Sequence, residues 1–178
     1  MHSTTLKEGI TMLNDGASGA IETTRVDAIT GFLQGTGTSY ELVEHQRTLS
    51  AAAEARAMHL PPDQVAKTIV LHDGDIYVIA AIPASDRLDL RKLRELLGAT
   101  RQLRLASEDE IARDFPLLEV GAVPPFGPMV PAAEVIDSAL TGYEQVLCPA
   151  GDHRHSVLLD PREIVRITAA QTADISEE

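Results

Sequence analysis

The stretch Val65-Ala-Lys-Thr-Ile-Val-Leu71, followed by the turn Asp73-Gly74-Asp75 and by Ile76-Tyr-Val-Ile-Ala-Ala-Ile82, decides how the chain is read. Two runs rich in aliphatic residues flank an Asp-Gly turn, and that combination predicts a β-hairpin. Side chains alternate between the faces of a strand, which puts Val65, Lys67, Ile69 and Leu71 on one face and Ala66, Thr68 and Val70 on the other. Lys67 therefore interrupts a face of large apolar side chains. Burying an ammonium without a partner is costly. Two readings stay open for Lys67. It is a charged gatekeeper at a sheet edge whose stem snorkels outward, or a cation placed at a cleft to hold a carbonyl oxygen or a phosphate. The chain has only two other lysines, Lys7 and Lys92.

Upstream of the hairpin, residues 1–22 show no sustained periodicity and are expected to form a flexible leader outside the fold. Asp27-Ala-Ile-Thr-Gly-Phe-Leu-Gln34 predicts a short helix stopped by Gly35 and Gly37, and Tyr40-Glu-Leu-Val-Glu-His45 alternates like a strand. Ser50 precedes a run of helix formers from Ala51 to Leu60, with Glu54 one residue beyond capping-box spacing. Downstream, Leu90, Leu93, Leu96 and Leu97 form a helical stripe that Gly98 ends. After a short strand near 101–105, Ser107 stands three residues before Glu110, the spacing of a capping box. Pro116 closes that helix, and an irregular stretch runs from Gly121 to Pro128. Residues 135–137, 144–148, 155–159 and 164–167 read as short strands.

This order of elements, with one tight hairpin and several short late strands, fits neither a doubly wound parallel sheet nor a helical bundle. The expected fold is mixed α/β (α+β), a curved, mostly antiparallel sheet flanked by helices. Residues 23–170 would make a single domain, and 171–178, with Asp174, Glu177 and Glu178, a solvated acidic tail.

At 178 residues the chain has the length of one ordinary domain. Hydrophobic residues make up 44% of it, but no run approaches the ~18 apolar residues of a membrane span, so no membrane partner is expected. Aromatics are 3% and Trp is absent, which leaves the core to aliphatic side chains and removes the stacking platforms that bind single strands. The formal net charge of -12 argues against a non-specific binder of DNA or other nucleic acid. Cys148 is the only cysteine, which excludes an internal disulfide. No signal-peptide pattern opens the chain, so a reducing cytoplasm is the expected location.

Two further segments carry candidate chemistry. In Gly121-Ala122-Val123-Pro124-Pro125-Phe126-Gly127 the prolines fix φ while the glycines permit unusual backbone, so the amides at 121–123 could face a ligand. The same loop also reads as a rigid turn. Cys148-Pro-Ala-Gly-Asp-His153-Arg-His155 holds three metal-ligand types, but from one short segment and without a distant partner at zinc spacing, so no metal and no cofactor are expected. A cysteine pointing inward from an apolar strand is usually inert. Gly151-Asp152-His153 reads better as a polar cleft wall, with His45 as another wall or as a structural strand histidine.

Taken in order, Tyr40–His45, Val65–Leu71 with its Lys67-Thr68 pair, Ile82–Leu90, Leu105–Glu110, Val120–Gly127 and Ala150–His153 resemble the YbaK family. That superfamily comprises the editing domain of bacterial prolyl-tRNA synthetase and its free-standing relatives, and the likeness runs from about residue 27 to 167. The resemblance implies a trans-editing aminoacyl-tRNA deacylase that hydrolyses the ester of a mischarged tRNA bearing a small amino acid such as Ala, Ser or Cys. It places the family's essential lysine on Lys67, its neighbour on Thr68, and the Gly-Gly-x-x-Pro loop on Gly121, Ala122, Val123 and Pro125. Ala122 replaces the second glycine. The Gly-x-His segment falls on Gly151 and His153, so Lys67 and His153 carry the implied catalytic roles and the others, with His45, hold substrate. The implied partners are the aminoacylated 3′ end of tRNA and an aminoacyl-tRNA synthetase. The alternative class is a non-catalytic module of the same fold that binds an amino acid or nucleotide, or docks on a synthetase.

The acidic total does not bar such a substrate, because an editing cleft takes up only a terminal nucleotide. Between Asp86 and Arg104 six basic residues outnumber three acidic ones. That run reads as a solvated helix face or as a contact for the acceptor stem.

Overall fold

In the computed structural model, residues 17–99, 102–127 and 132–177 are described, residues 17–24 by backbone alone. The hairpin lies at the centre. Strands β2 (Ala66–Asp73) and β3 (Ile76–Pro83) pair antiparallel, with Lys67 opposite Ile82 and Thr68 opposite Ala81. Gly74 makes the turn with φ at +65°, a conformation that costs a glycine little.

The hairpin belongs to a five-stranded sheet of order β4-β2-β3-β5-β8, where β4 is Arg104–Leu105, β5 Ala132–Asp137 and β8 Gln171–Ala173. A second sheet of order β1-β7-β6 is antiparallel throughout and joins β1 (Tyr40–Glu44), β7 (His155–Leu159) and β6 (Val146–Pro149). Antiparallel pairing thus dominates as expected, but it is divided over two sheets, and β5 pairs parallel with both β3 and β8. A parallel bridge from Val65 to Leu147 links the two sheets.

Both faces of the hairpin are covered. Ala66, Val70, Ile79 and Ala81 pack into a core with Ile29 and Leu33 of α1 (Ala17–Gly35), Phe126, Val157 and Leu159. Leu71, Val78, Ala80 and Ile82 pack on the other side against Leu93 of α3 (Leu90–Leu97) and against Ile175. Leu93 is fully buried, so truncating it to Ala would cost about 2–5 kcal/mol. The helix carrying it is capped by Asp89 at one end and, as its sequence predicts, by left-handed Gly98 at the other. Ser107 and Glu110 complete the capping box of α4 (Glu108–Asp114).

Three expectations need correction. Residues 164–167 are not a strand: they lie in helix α5 (Pro161–Thr168), capped by Asp160, whose Oδ1 accepts from the Arg162 amide at 2.9 Å, with Pro161 at the first turn. Four apolar-rich residues fit either periodicity, and the Asp-Pro start decides the matter. Residues 171–176 are not a solvated tail, since β8 completes the sheet, Ile175 is buried, and Asp137 accepts from the Ile175 amide and the Ser176 hydroxyl. Helix α1 begins at Ala17, inside the span read as a leader, while residues 1–16 lie outside the described residues.

Candidate active site

Strand β4 covers β2 only at Leu71 and His72, and the Ala106 amide adds one bond to the Val70 carbonyl at 2.9 Å. At the other end Val65 bridges to β6. Between those contacts a cavity of about 360 Å³ opens along residues 66–70. Its walls come from five parts of the chain, one of them the stretch from β4 to α4 with Leu105, Ala106 and Ile111. Strand β2 supplies Lys67 and Thr68, the loop after α4 supplies Gly121 and Ala122, and the β6–β7 turn supplies Asp152 and His153. The connection after β1 and the helix α2 (Ala51–Ala57) supply His45, Thr48, Ser50 and Glu54.

The fold therefore gathers Lys67, Thr68, Gly121, Ala122, His153 and His45 around one space. Lys67 is half-buried, and its Nζ donates to the Asp86 carbonyl. An ammonium has three donors, so two remain for a ligand. Burial pushes the Lys67 pKa down, opposed by the Asp86 carboxylate. Beside it the Thr68 hydroxyl is buried without a partner among the described residues. The residue lines the cavity, but its oxygen is covered, so a bound molecule reaches it only with a small shift of the wall.

His153 is oriented from both sides. Its Nε2 lies 2.9 Å from the Val120 carbonyl, which can only accept, so Nε2 carries the proton and a neutral ring presents Nδ1 as an acceptor. Its backbone amide donates to Glu119 at 3.1 Å, and Glu119 in turn pairs with Arg25 at 3.2 Å. Gly121 has φ at +86°, and a Cβ there would stand 3.3 Å from His153 Cε1. Glycine thus lets the loop pass close to the imidazole.

The predicted cradle of three amides is only partly available. The Ala122 amide donates to the Glu119 carbonyl at 3.0 Å, whereas the Gly121 amide has no partner among the described residues. Val123 and Pro125 are buried and do not line the cavity, because the Pro-Pro-Phe segment anchors the loop in the core through Val123 and Phe126. Gly151 is also away from the cavity. With φ at +98° it packs under Leu118 and Ile29, and it positions the loop instead of contacting a ligand.

One participant was not visible in the sequence. Glu54 lines the cavity although 6% exposed, and its carboxylate accepts from the Ser156 hydroxyl. His45 reaches the same hydroxyl through Nε2 at 2.9 Å. Burial pushes the Glu54 pKa up, opposed by Ser156 and by His45. The alanine-rich helix shows no apolar stripe that would have revealed which way Glu54 points.

The remaining candidates are engaged elsewhere. Burial pushes the Cys148 thiol far up, out of reach of a thiolate. His155 Nδ1 is held by Asp152 at 2.8 Å. In the basic run Arg91 pairs with Glu95 at 3.2 Å, Lys92 with Asp174 at 2.9 Å and Arg104 with Glu110 at 2.7 Å. Arg94 donates to the Leu103 carbonyl, Arg87 is exposed, and Arg101 lies outside the described residues.

Among solved structures, a protein proposed to be a trans-editing enzyme for prolyl tRNA synthetase superposes with a TM-score of 0.78 at 28% identity, covering 86% of this chain and 98% of that one. The hypothetical protein APE2540 is similar at 26% identity and a TM-score of 0.78, over 84% of this chain and 99% of its own. A scaffold used for computational epitope grafting matches at 26% identity and a TM-score of 0.77, over 86% and 97%. The sequence profile of the aminoacyl-tRNA editing domain matches residues 44–167, a span that contains every residue named around the cavity. The chain belongs to the aminoacyl-tRNA editing domain family.

Proposed function

We propose that this protein is a free-standing deacylase that hydrolyses the ester between a small amino acid and the 3′ end of a mischarged tRNA. The observation that carries the reading is the convergence of Lys67, Thr68, Gly121 and His153 on one cavity. Water attacks the ester carbonyl, the acyl carbon–ribose oxygen bond breaks, and the ribose oxygen takes a proton as it leaves. Negative charge develops on the former carbonyl oxygen. The Lys67 ammonium and the Gly121 amide are the donors suited to it, each preorganised donor of this kind being worth roughly 3 kcal/mol. His153 Nδ1 orients the water or the adjacent ribose hydroxyl. Thr68 holds the acyl group, and His45 shapes the wall through Ser156.

The cavity of about 360 Å³ must also admit the ribose, which leaves room for side chains such as those of Ala, Ser or Cys. Ala122 adds a methyl to that wall, and a size difference of one methylene discriminates by only about 1–3 kcal/mol. At the rim Leu49 and Leu105 are 72% and 57% exposed and offer an apolar seat for the terminal base. A deacylase of this kind works in the cytoplasm, where an aminoacyl-tRNA synthetase could present the substrate. No helix among the described residues is long and apolar enough to cross a membrane.

Deacylation assays across a matrix of amino acids and tRNAs test this. Release of a small amino acid from at least one non-cognate tRNA is expected. Ligand-dependent melting shifts without release from any tRNA would instead identify a binding module.

A further inference from the structure

The cavity holds a second charged group that the hydrolytic step does not use. Glu54 Oε1 accepts from Ser156 Oγ and lies 3.8 Å from His45 Nε2. Oε2 has no hydrogen bond among the described residues, and Glu54 lines the cavity. The carboxylate is fixed in place from several directions. Ser156 belongs to β7, His45 is tied by Nδ1 to the Gln46 carbonyl at 2.8 Å, and Glu54 itself is carried by α2. Among the described residues no lysine or arginine pairs with it. A carboxylate buried in this way is costly unless a cation or donors compensate it; Ser156 and the nearby His45 serve Oε1, and Oε2 is the oxygen left for a further partner.

We infer that Glu54 Oε2 receives the α-ammonium group of the aminoacyl ester, an inference that rests on the reading of the cavity as an aminoacyl-ester site. The α-ammonium is the cation every unblocked aminoacyl ester carries next to its carbonyl. Binding it orients the ester without selecting a side chain, because a charge-assisted hydrogen bond to a preset carboxylate is both directional and strong. The same contact excludes esters whose amine is acylated, as in peptidyl-tRNA. Such a group brings no charge and adds bulk where Glu54 is buried.

Two probes separate this from its alternatives. The first is binding of an amide-linked 3′-aminoacylamino adenosine, which cannot be hydrolysed at the ester position, against its N-acetyl form. Wild type should prefer the free amine by at least about tenfold, and Glu54→Gln, which keeps an acceptor for Ser156, should erase the preference. The second is the rate on a tRNA carrying an amino acid against one carrying the matching α-hydroxy acid. Glu54→Gln should slow the aminoacyl ester about tenfold, mainly through KM, and leave the hydroxyacyl ester within about twofold. Equal loss on both esters would make Glu54 a proton-transfer group, and no loss on either, or a preference retained by the variant, would equally overturn the inference. If wild type cleaves neither ester, the deacylase reading falls while the binding probe still decides the role of Glu54.

Discussion

The Gly151 amide donates to the Ala122 carbonyl at 3.1 Å, and the Gly151 carbonyl accepts from the Glu119 amide at 2.8 Å. Two neighbouring loops of the cavity wall are thereby locked together, one bearing Gly121 and Ala122, the other His153. A side chain at 151 would be strained at φ +98° and would meet Leu118 Cδ2 at 3.1 Å. Gly151→Ala is therefore expected to lower stability by about 1–3 kcal/mol and to reduce deacylation beyond what unfolding explains. Denaturant melts paired with rates measured well below the midpoint check this.

Lys67 is expected to set the pH dependence. The role proposed for it as an electrostatic donor requires the charged form, and burial lowers its pKa from the ordinary 10.5, so charge is lost earlier than in a free lysine. The profile of kcat/KM against pH, after subtraction of spontaneous ester hydrolysis, should fall on its alkaline side with a midpoint below 10.5. A rate that keeps rising past that pH would separate Lys67 from the reaction.

Glu134 in β5 gives a stability test independent of the cavity. Burial lifts its carboxyl to about 7 from 4.5, and its Oε2 has no partner among the described residues. Between those two values the folded protein holds a proton that the unfolded chain has released, so this contribution to stability is lost as pH rises through about 7. Glu134→Gln should raise stability by roughly 2 kcal/mol at about pH 8 and little at about pH 4, read from thermal melts at both.

The basic run divides into structural and surface members. Arg94 holds the Leu103 carbonyl at 3.0 Å, so reversing its charge should destabilise the fold. Arg87 is exposed and the Arg91 side chain is 70% exposed, which makes them the proper probes of an acceptor-stem contact. Arg87→Glu with Arg91→Glu should weaken tRNA binding and flatten its salt dependence by about one unit of slope for each phosphate no longer neutralised. Unchanged affinity and slope would leave this face solvated.

The hairpin and the capped helices were legible because each rests on a local rule: alternation, Asp-Gly turn chemistry, Ser-x-x-Glu spacing. The residues that gather at the cavity were singled out by the family resemblance, the strand pattern alone leaving Lys67 open between a gatekeeper and a cleft cation. The failures have separate causes. Ile164–Ile167 by itself fits both strand and helix, and the capping start at Asp160-Pro161, outside those four residues, selects the helix. The acidic composition of the C-terminal residues hid Ile175, whose burial completes the face opposite the main core. The amides at 121–123 looked equivalent in sequence, but a bond to the Glu119 carbonyl consumes that of Ala122. Glu54 faces the cavity because of how α2 lies across β7, and no spacing within an alanine-rich helix encodes that relationship.

The central claim is that Lys67 stabilises charge on the ester being hydrolysed. The most direct measurement is single-turnover release of the amino acid from a mischarged tRNA by wild type and by Lys67→Ala, with circular dichroism to establish that the variant is folded. The rate should fall by at least about a hundredfold, with the spectrum and melting point retained. Release at the wild-type rate by a folded Lys67→Ala protein would contradict the claim.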